Sequence, residues 1–269
     1  MGISIALATA AALAVPPASP IQATLLEPSG PWTVEHAEAM CIVGRKFGTG
    51  DREITLGFRP GPMSDHLRVA LWLPGTGKKY TFGAANLALD DQIPVLAPFG
   101  RGPIPIKVMQ LVQIDTKWSE IGDLSAAKHL HVQAGMLALN FKLGNIGGAM
   151  KALQKCEREL LISWGMDPVV LDSIAKPAFQ PNLYLLFSVN DYPSSALRQQ
   201  QQGTAGVYFR IGTDGRVSDC RVAESSGSAA LDAQTCAIIV KRARYQPART
   251  KTGEMVASIG FQRIRWEIP

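Results

Sequence analysis

The sequence predicts an α+β protein in two parts: a mostly-β N-terminal domain closed by one amphipathic helix, and a smaller C-terminal unit ordered helix, β-hairpin, helix, strand. Three observations predict it. Between Trp32 and Leu143 the apolar residues alternate or run in short stretches bounded by Gly and Pro. From Asn145 to Trp164 they recur at spacings of three, four and seven. Beyond Asp191, strand-like runs flank an Asp-Gly pair, Asp214-Gly215, the signature of a tight hairpin. With 269 residues, 46% of them hydrophobic, the chain is long enough for two packed cores. Its 18 prolines are dispersed and form no rod-like run.

The chain opens with about 15 small or apolar residues, Met1 to Val15, followed by Pro16 and Pro17. That is the length of a secretory apolar region and falls short of the roughly 18 apolar residues of a spanning helix. Ala12-Leu13-Ala14 fits a small-x-small cleavage site and Ala23 offers a second, so residues 1–23 read as a signal peptide. The departure is a missing basic n-region, since no Lys or Arg precedes Arg45. Export is the expectation, and a retained short membrane anchor is the alternative.

Residues 53–58 and 66–73 read as strands divided by Arg59-Pro60-Gly61-Pro62, and the turn after Leu73 leads into residues 79–82 as a predicted hairpin. Gly77-Lys78 supplies half of a phosphate loop, but Gly75 and Gly77 are too close and Lys79 stands where Ser or Thr is required. Residues 129–133 and 138–143 form another strand pair. His129 and His131 share one face of the first, a spacing a metal could use, yet no third ligand accompanies them and no metal or other cofactor is expected. A helix of about 19 residues follows, with Asn145 as N-cap, Gly165 as stop and Cys156 near its apolar stripe. Residues 166–190, with Pro168, Pro177 and Pro181, lack periodicity. The division is therefore 24–178, an α+β domain of unknown role, 179–190, a linker, and 191–269, the C-terminal unit.

Four cysteines allow three connectivities. Only Cys41 with Cys156 and Cys220 with Cys236 keeps each bridge inside one part, and no pair has the Cys-x-x-Cys spacing of a zinc or redox site.

In the C-terminal unit, Pro193 opens a helix ending at Gly203, strands span 205–211 and 216–222, a short helix runs from 233 to 243, and a final strand covers 256–268 with Ile259, Phe261 and Trp266 apolar. Residues 1–190 hold 16 basic against 15 acidic residues and residues 191–269 hold 11 against 7, so most of the net charge of +5 lies here. The one basic run, Lys241, Arg242 and Arg244, falls at a helix end where cations suit the dipole, so no nucleic-acid partner is expected.

The order of these elements and their wording resemble the C-terminal domain of the TonB family. The matching pieces are Tyr192-Pro193 with Ala196, Gly203 with Gly206, Asp214-Gly215 with Val217, Val222 followed by Ser225-Ser226-Gly227, Leu231-Asp232, Tyr245 with Pro247-Ala248, and Gly253. The resemblance implies a periplasmic binding module rather than a catalyst, one that recruits a short peptide of an outer-membrane transporter as an added β-strand. On that reading the terminal strand is the binding edge, with Val256, Ser258, Ile259, Gly260, Phe261, Gln262, Arg263 and Arg265 as partner-binding positions. Arg263 and Arg265, one strand repeat apart, would favour an acidic partner.

The chain departs from the family's energy transducers in its cleavable-looking leader and in the folded domain that stands in place of a Pro-rich spacer. The expectation is a periplasmic TonB-like protein that binds a protein or peptide of the cell envelope by strand addition, in TonB-dependent transmembrane transport. One alternative is an energy transducer anchored in the inner membrane by residues 3–15. The other is a periplasmic enzyme with its site in residues 32–164, where Ser64, Asp65 and His66 supply the residue types of a nucleophile, an orienter and a base, and where Asp90 and Asp91 are adjacent. Local adjacency is no triad geometry, and no enzyme is expected.

Overall fold

A computed structural model describes residues 24–37, 40–75, 80–104, 108–181 and 183–268; the predicted leader, 1–23, and Gly77-Lys78 lie outside these. The N-terminal part is built on ten strands: β1 (Thr24–Leu26), β2 (Thr33–Ala37), β3 (Met40–Phe47), β4 (Ile54–Pro60), β5 (His66–Pro74), β6 (Thr81–Leu89), β7 (Val95–Pro103), β8 (Met109–Lys117), β9 (His129–Ala134) and β10 (Leu137–Lys142). Their order in the sheet is β1-β10-β9-β6-β7-β8-β5-β4-β3-β2. Alternation sends Cys41, Val43 and Phe47 of β3, Leu56 and Phe58 of β4, and Leu67, Val69 and Leu71 of β5 into one core.

The sheet curls until its two ends meet. β1 runs parallel to β10, and the chain then crosses to β3, where Ser29 N donates to Lys46 O at 2.9 Å and Gly48 N to Glu27 O at 3.0 Å, before β2 pairs with β3. Trp32 Nε1 donates to Leu143 O at 3.0 Å, and Phe47 meets Phe141 edge-on at 5.0 Å. One extended segment thus serves both outer strands.

The predicted hairpin between 66–73 and 79–82 is not formed. β5 is flanked by β4 and β8, whereas β6 pairs with β7 and β9. A glycine turn marks where a chain reverses but not which strand it rejoins; here the nine-residue ladder between β5 and β8 takes the edge that the hairpin needed.

A single turn, α1 (Trp118–Ile121), follows β8, and α2 (Gly147–Ser163) packs on β2 and β3 through Met150, Leu153 and Cys156. The Cys41–Cys156 disulfide joins α2 to β3 with Cα atoms 6.1 Å apart. The helix starts later than expected: its N-cap is Ile146, without a side-chain bond, and Asn145 does not serve. It ends as expected. Gly165 has φ 94°, Gly165 N donates to Ile162 O and Met166 N to Leu161 O, the paired bonds that satisfy the last carbonyls.

Residues 166–190 are more ordered than their lack of periodicity suggested. Asp167 Oδ1 accepts from Val169 N and Val170 N, and Pro168 occupies the first position of α2's successor, α3 (Pro168–Ser173). The Asp-Pro pair was the available signal. A short strand, β11 (Ile174–Lys176), comes next.

The C-terminal part comprises α4 (Ser194–Arg198), β12 (Gly203–Ile211), β13 (Val217–Glu224), α5 (Ala229–Arg242), β14 (Ala248–Thr250), β15 (Met255–Val256) and β16 (Ser258–Trp266). One sheet has the order β13-β12-β16; a second, β11-β14-β15, stitches the connection to this part. α5 covers the first sheet through Leu231, Ile238 and Ile239, with Trp266 Nε1 donating to Thr235 Oγ1 at 2.8 Å. The Cys220–Cys236 disulfide ties β13 to α5, Cα atoms 5.5 Å apart.

Three boundaries differ from expectation. α4 stops at Arg198, and Gly203 opens β12 instead of ending the helix, because a Cβ there would overlap Ser226 O. α5 starts at Ala229, four residues before 233, capped by Ser228 Oγ. The final strand is divided, with Val256 in the β14–β15 hairpin opposite Ala248 and β16 beginning at Ser258. The two parts meet where Trp164 stacks on the cross-strand neighbours Tyr208 (4.6 Å, 4°) and Phe261 (5.6 Å, 18°) beside Leu161, Met166 and Ile259.

Candidate functional site

β16 is paired on one side only. It runs antiparallel to β12 from Gly203↔Trp266 to Ile211↔Ser258 without a register shift, and among the described residues no strand joins its other side. The sheet's opposite edge is different: β13 pairs with β12 through two register shifts and holds Asp219 at φ 49°. A bulged edge is a poor template for a further strand, whereas a regular one offers its row of N–H and C=O groups.

The side chains of β16 are largely committed. Ser258 and Trp266 are buried on the α5 side, and Ile259 and Phe261 are buried on the side of Trp164. Arg263 makes a two-pronged ion pair with Glu224, Nε to Oε2 at 2.6 Å, and its guanidinium lies 4.5 Å over the Phe261 ring. Arg265 pairs with Glu267 at 2.6 Å and sits 5.9 Å over Tyr80. Gly260 and Gln262 lie on the ladder between them, opposite Phe209 and Val207. Val256 belongs to β15 and takes no part in this edge. What β16 presents is backbone.

Beside Phe261, Gln262 and Arg263 opens a cleft of about 310 Å³ whose other wall is Arg59 of β4, Gly61, Ser64, and His66 and Arg68 of β5. Sequence reasoning passed over Arg59 as part of a breaker cluster; continuing the alternation Leu56, Phe58 would have placed it outward. Arg59, Arg68 and Asp115 are cross-strand neighbours in a row. Asp115 accepts from Arg68 at 2.6 and 2.9 Å and from His66 Nε2 at 3.0 Å. Burial alone would raise its pKa, but these hydrogen bonds and the Arg68 charge hold the carboxyl well below the usual range.

Ser64, Asp65 and His66 do not converge. Ser64 Oγ donates to Gly61 O at 2.9 Å, Asp65 accepts from Ser119 N at 3.0 Å and from the Ser119 hydroxyl, and His66 pairs with Asp115. Asp90, at φ 48°, accepts from Lys128 N and His129 N and so braces a turn. The His129 and His131 rings are 6.4 Å apart. Among the described residues, one group has three metal-type ligands within reach, His36, Cys41 and Cys156, and both of its sulfurs are joined in the disulfide.

Residues 188–268 match the family model for the Gram-negative bacterial TonB protein C-terminal. This segment is a TonB-family C-terminal domain. Its family is a protein-interaction and energy-transduction domain without catalytic activity, active among envelope proteins. No curated protein matches the chain.

The match starts ahead of Tyr192, at Ser188. Ser188 and Asp191 form a reciprocal capping box at the entry of the TonB-type domain. Asp191 then receives Arg242 at 2.6 and 2.7 Å, fastening that entry to the end of α5. The Arg242 hydrogen bonds, with help from Ser188, hold the Asp191 carboxyl far below its ordinary pKa although burial opposes this. Arg242 of the basic run is thus structural. Among the described residues no helix is long and apolar enough to cross a membrane.

Proposed function

We propose that the chain is a periplasmic TonB-like protein whose C-terminal domain takes up an extended segment of an envelope protein, such as an outer-membrane transporter, as a fourth strand beside β16. The observation that carries this reading is the regular, one-sided nine-residue ladder of β16, set against the bulged edge at β13. An added strand gains main-chain hydrogen bonds with little demand on sequence, which suits an edge whose own side chains are buried or ion-paired. The reading keeps residues 24–178 as a separate domain, 179–190 as its linker and 191–269 as the binding module.

A photo-crosslinking residue at Gln262, compared with one at Ser218 on β13, tests it in Gram-negative cells. Adducts from Gln262 mapping to one short contiguous segment of an envelope protein, with none from Ser218, are expected. Adducts from both edges alike, or from neither, overturn strand addition at β16.

A further inference from the structure

We propose that the cleft between the β4–β5 wall and β16 is a carboxylate-binding site, with Arg59 as its principal donor. This inference does not depend on strand addition. It rests on a mismatch of charge around one cleft.

Arg59, Arg68 and Arg263 line the cleft, and the last two are each paired with a carboxylate. Both Asp115 oxygens are engaged by Arg68, one of them also by His66, and both Glu224 oxygens are engaged by Arg263. Arg59 is left over. Its single hydrogen bond among the described residues goes from Nη1 to Met40 Sδ at 3.6 Å, and a thioether is a weak acceptor for a group with five N–H donors. Directly across the strand pair stands Arg68, a like charge that a bare sheet would disfavour at that position.

Burial, followed by the charges of Arg263 and Arg68, draws the Arg59 pKa down to about 9 in spite of Glu224 and Asp115, so it stays protonated at neutral pH. A half-buried cation that has no ion pair among the described residues and lines a cleft large enough for a small ligand favours an anion beside it.

The chemistry of the wall selects the class of anion. Counting the three guanidiniums against the two carboxylates gives a net charge of +1, which a monovalent carboxylate cancels, while a phosphate dianion overshoots. Arg68 and Arg263 already grip carboxylates in the two-pronged geometry that the third guanidinium has free. Because one wall belongs to β4 and β5 and the other to β16, a bound carboxylate reports to both halves of the molecule at once.

The test is an NMR titration of the arginine Nε–Hε signals of the intact chain with sodium acetate, against sodium chloride and inorganic phosphate at matched ionic strength. Acetate is expected to shift Arg59 and Arg263 saturably, phosphate to do so only at higher concentration, and chloride to give no saturation. Arg59→Gln is expected to abolish the Arg263 response while melting at the same temperature as the parent or a few degrees above it, since it removes an unmatched charge. Arg59→Lys keeps a weakened response.

Two sources of the carboxylate are separated by a short extended peptide bearing one Glu and its Gln counterpart. A tenfold or greater preference for Glu, competed by acetate, identifies a peptide side chain, and acetate saturation without that preference identifies a free small acid. Acetate shifts no larger than those of chloride, phosphate binding tighter than acetate, or an Arg59→Gln variant that melts lower and still responds to acetate each overturn the proposal.

Discussion

In the N-terminal sheet the outermost strands, β1 and β2, belong to one segment that joins β10 to β3, whereas in the C-terminal sheet β16 ends the ladder with no further strand paired to it among the described residues. Closing a sheet satisfies its backbone internally and removes a template for association; leaving a long regular edge does neither. The contrast lies within one chain: the first sheet is finished by its own strands, and the second keeps the regular edge on which the proposed strand addition rests. The disulfides repeat it. Cys41–Cys156 spans 115 residues and staples α2 over the closing strands, while Cys220–Cys236 spans 16 and steadies β13 against α5, leaving β16 untouched.

The largest expected effect breaks the closed side of this comparison. On the chain-entropy account a loop of about 100 residues contributes about 4.7 kcal/mol and one of about 15 residues about 3 kcal/mol. Cys41→Ser with Cys156→Ser is therefore expected to lower stability by about 4–5 kcal/mol in urea unfolding, and Cys220→Ser with Cys236→Ser by about 3 kcal/mol. Hydrogen exchange locates the damage: amides of β2 and β3 should lose protection in the first variant and those of β13 in the second. Equal losses in both sheets from either variant would show that the two parts unfold as one.

A second expectation uses pH. Burial raises the Glu157 carboxyl on α2 from 4.5 to about 7. The folded state then holds this proton more tightly than the unfolded chain, so stability contributed here is present below about pH 4.5 and declines as pH rises through 7. Glu157→Gln should remove that slope and stabilise the protein by about 2–3 kcal/mol at pH 8. The Asp191–Arg242 lock of the TonB-type domain works the other way, its contribution being present above the ordinary Asp range and lost on strong acidification. Alkali loosens the first part and acid the second; unfolding followed from pH 3 to 9 by probes in each sheet checks the crossing.

Much of this arrangement was legible in the sequence for local reasons. The β-rich region, the apolar stripe of α2, its Gly165 stop and the Asp214-Gly215 turn all follow from neighbours in the chain, and the cysteine pairing follows from the division into two parts. What escaped was non-local. No sequence signal tells that β5 pairs with β8 in preference to β6, or that Arg59, Arg68, Asp115, Glu224 and Arg263, drawn from five strands, share one surface. The edge follows from the family resemblance alone, and the alternation of Ile259 and Phe261 does not reveal that a second face of the sheet is covered and buries them.

A smaller effect probes the contact that covers it. Trp164 reaches from the end of α2 onto Tyr208 and Phe261, and aromatic pairs contribute about 0.5–1.5 kcal/mol each beyond area. Trp164→Ala should cost about 1–3 kcal/mol and, more tellingly, separate the melting of the two parts further. Melting that shifts without separating further would mean that the remaining Leu161, Met166 and Ile259 cluster couples the parts by itself.

The smallest expected effect concerns the edge that β13 does not offer. Asp219 adopts φ 49° on this strand, a left-handed conformation that glycine enters without the Cβ penalty, and its ion pair with Arg210 is exposed at 3.7 Å. Asp219→Gly should therefore stabilise the domain by about 0.5–1 kcal/mol and preserve the bulge. Asp219→Val, in contrast, resists positive φ and pushes the strand toward a regular ladder or unfolds it locally. If the bulge is what directs a partner to β16, Asp219→Gly keeps crosslinking confined to Gln262. A folded Asp219→Val variant, one whose melting is still cooperative, begins to crosslink from Ser218 as well. Crosslinking confined to Gln262 in that folded variant would mean that the bulge is irrelevant to edge choice and that the walls of the neighbouring cleft make the selection.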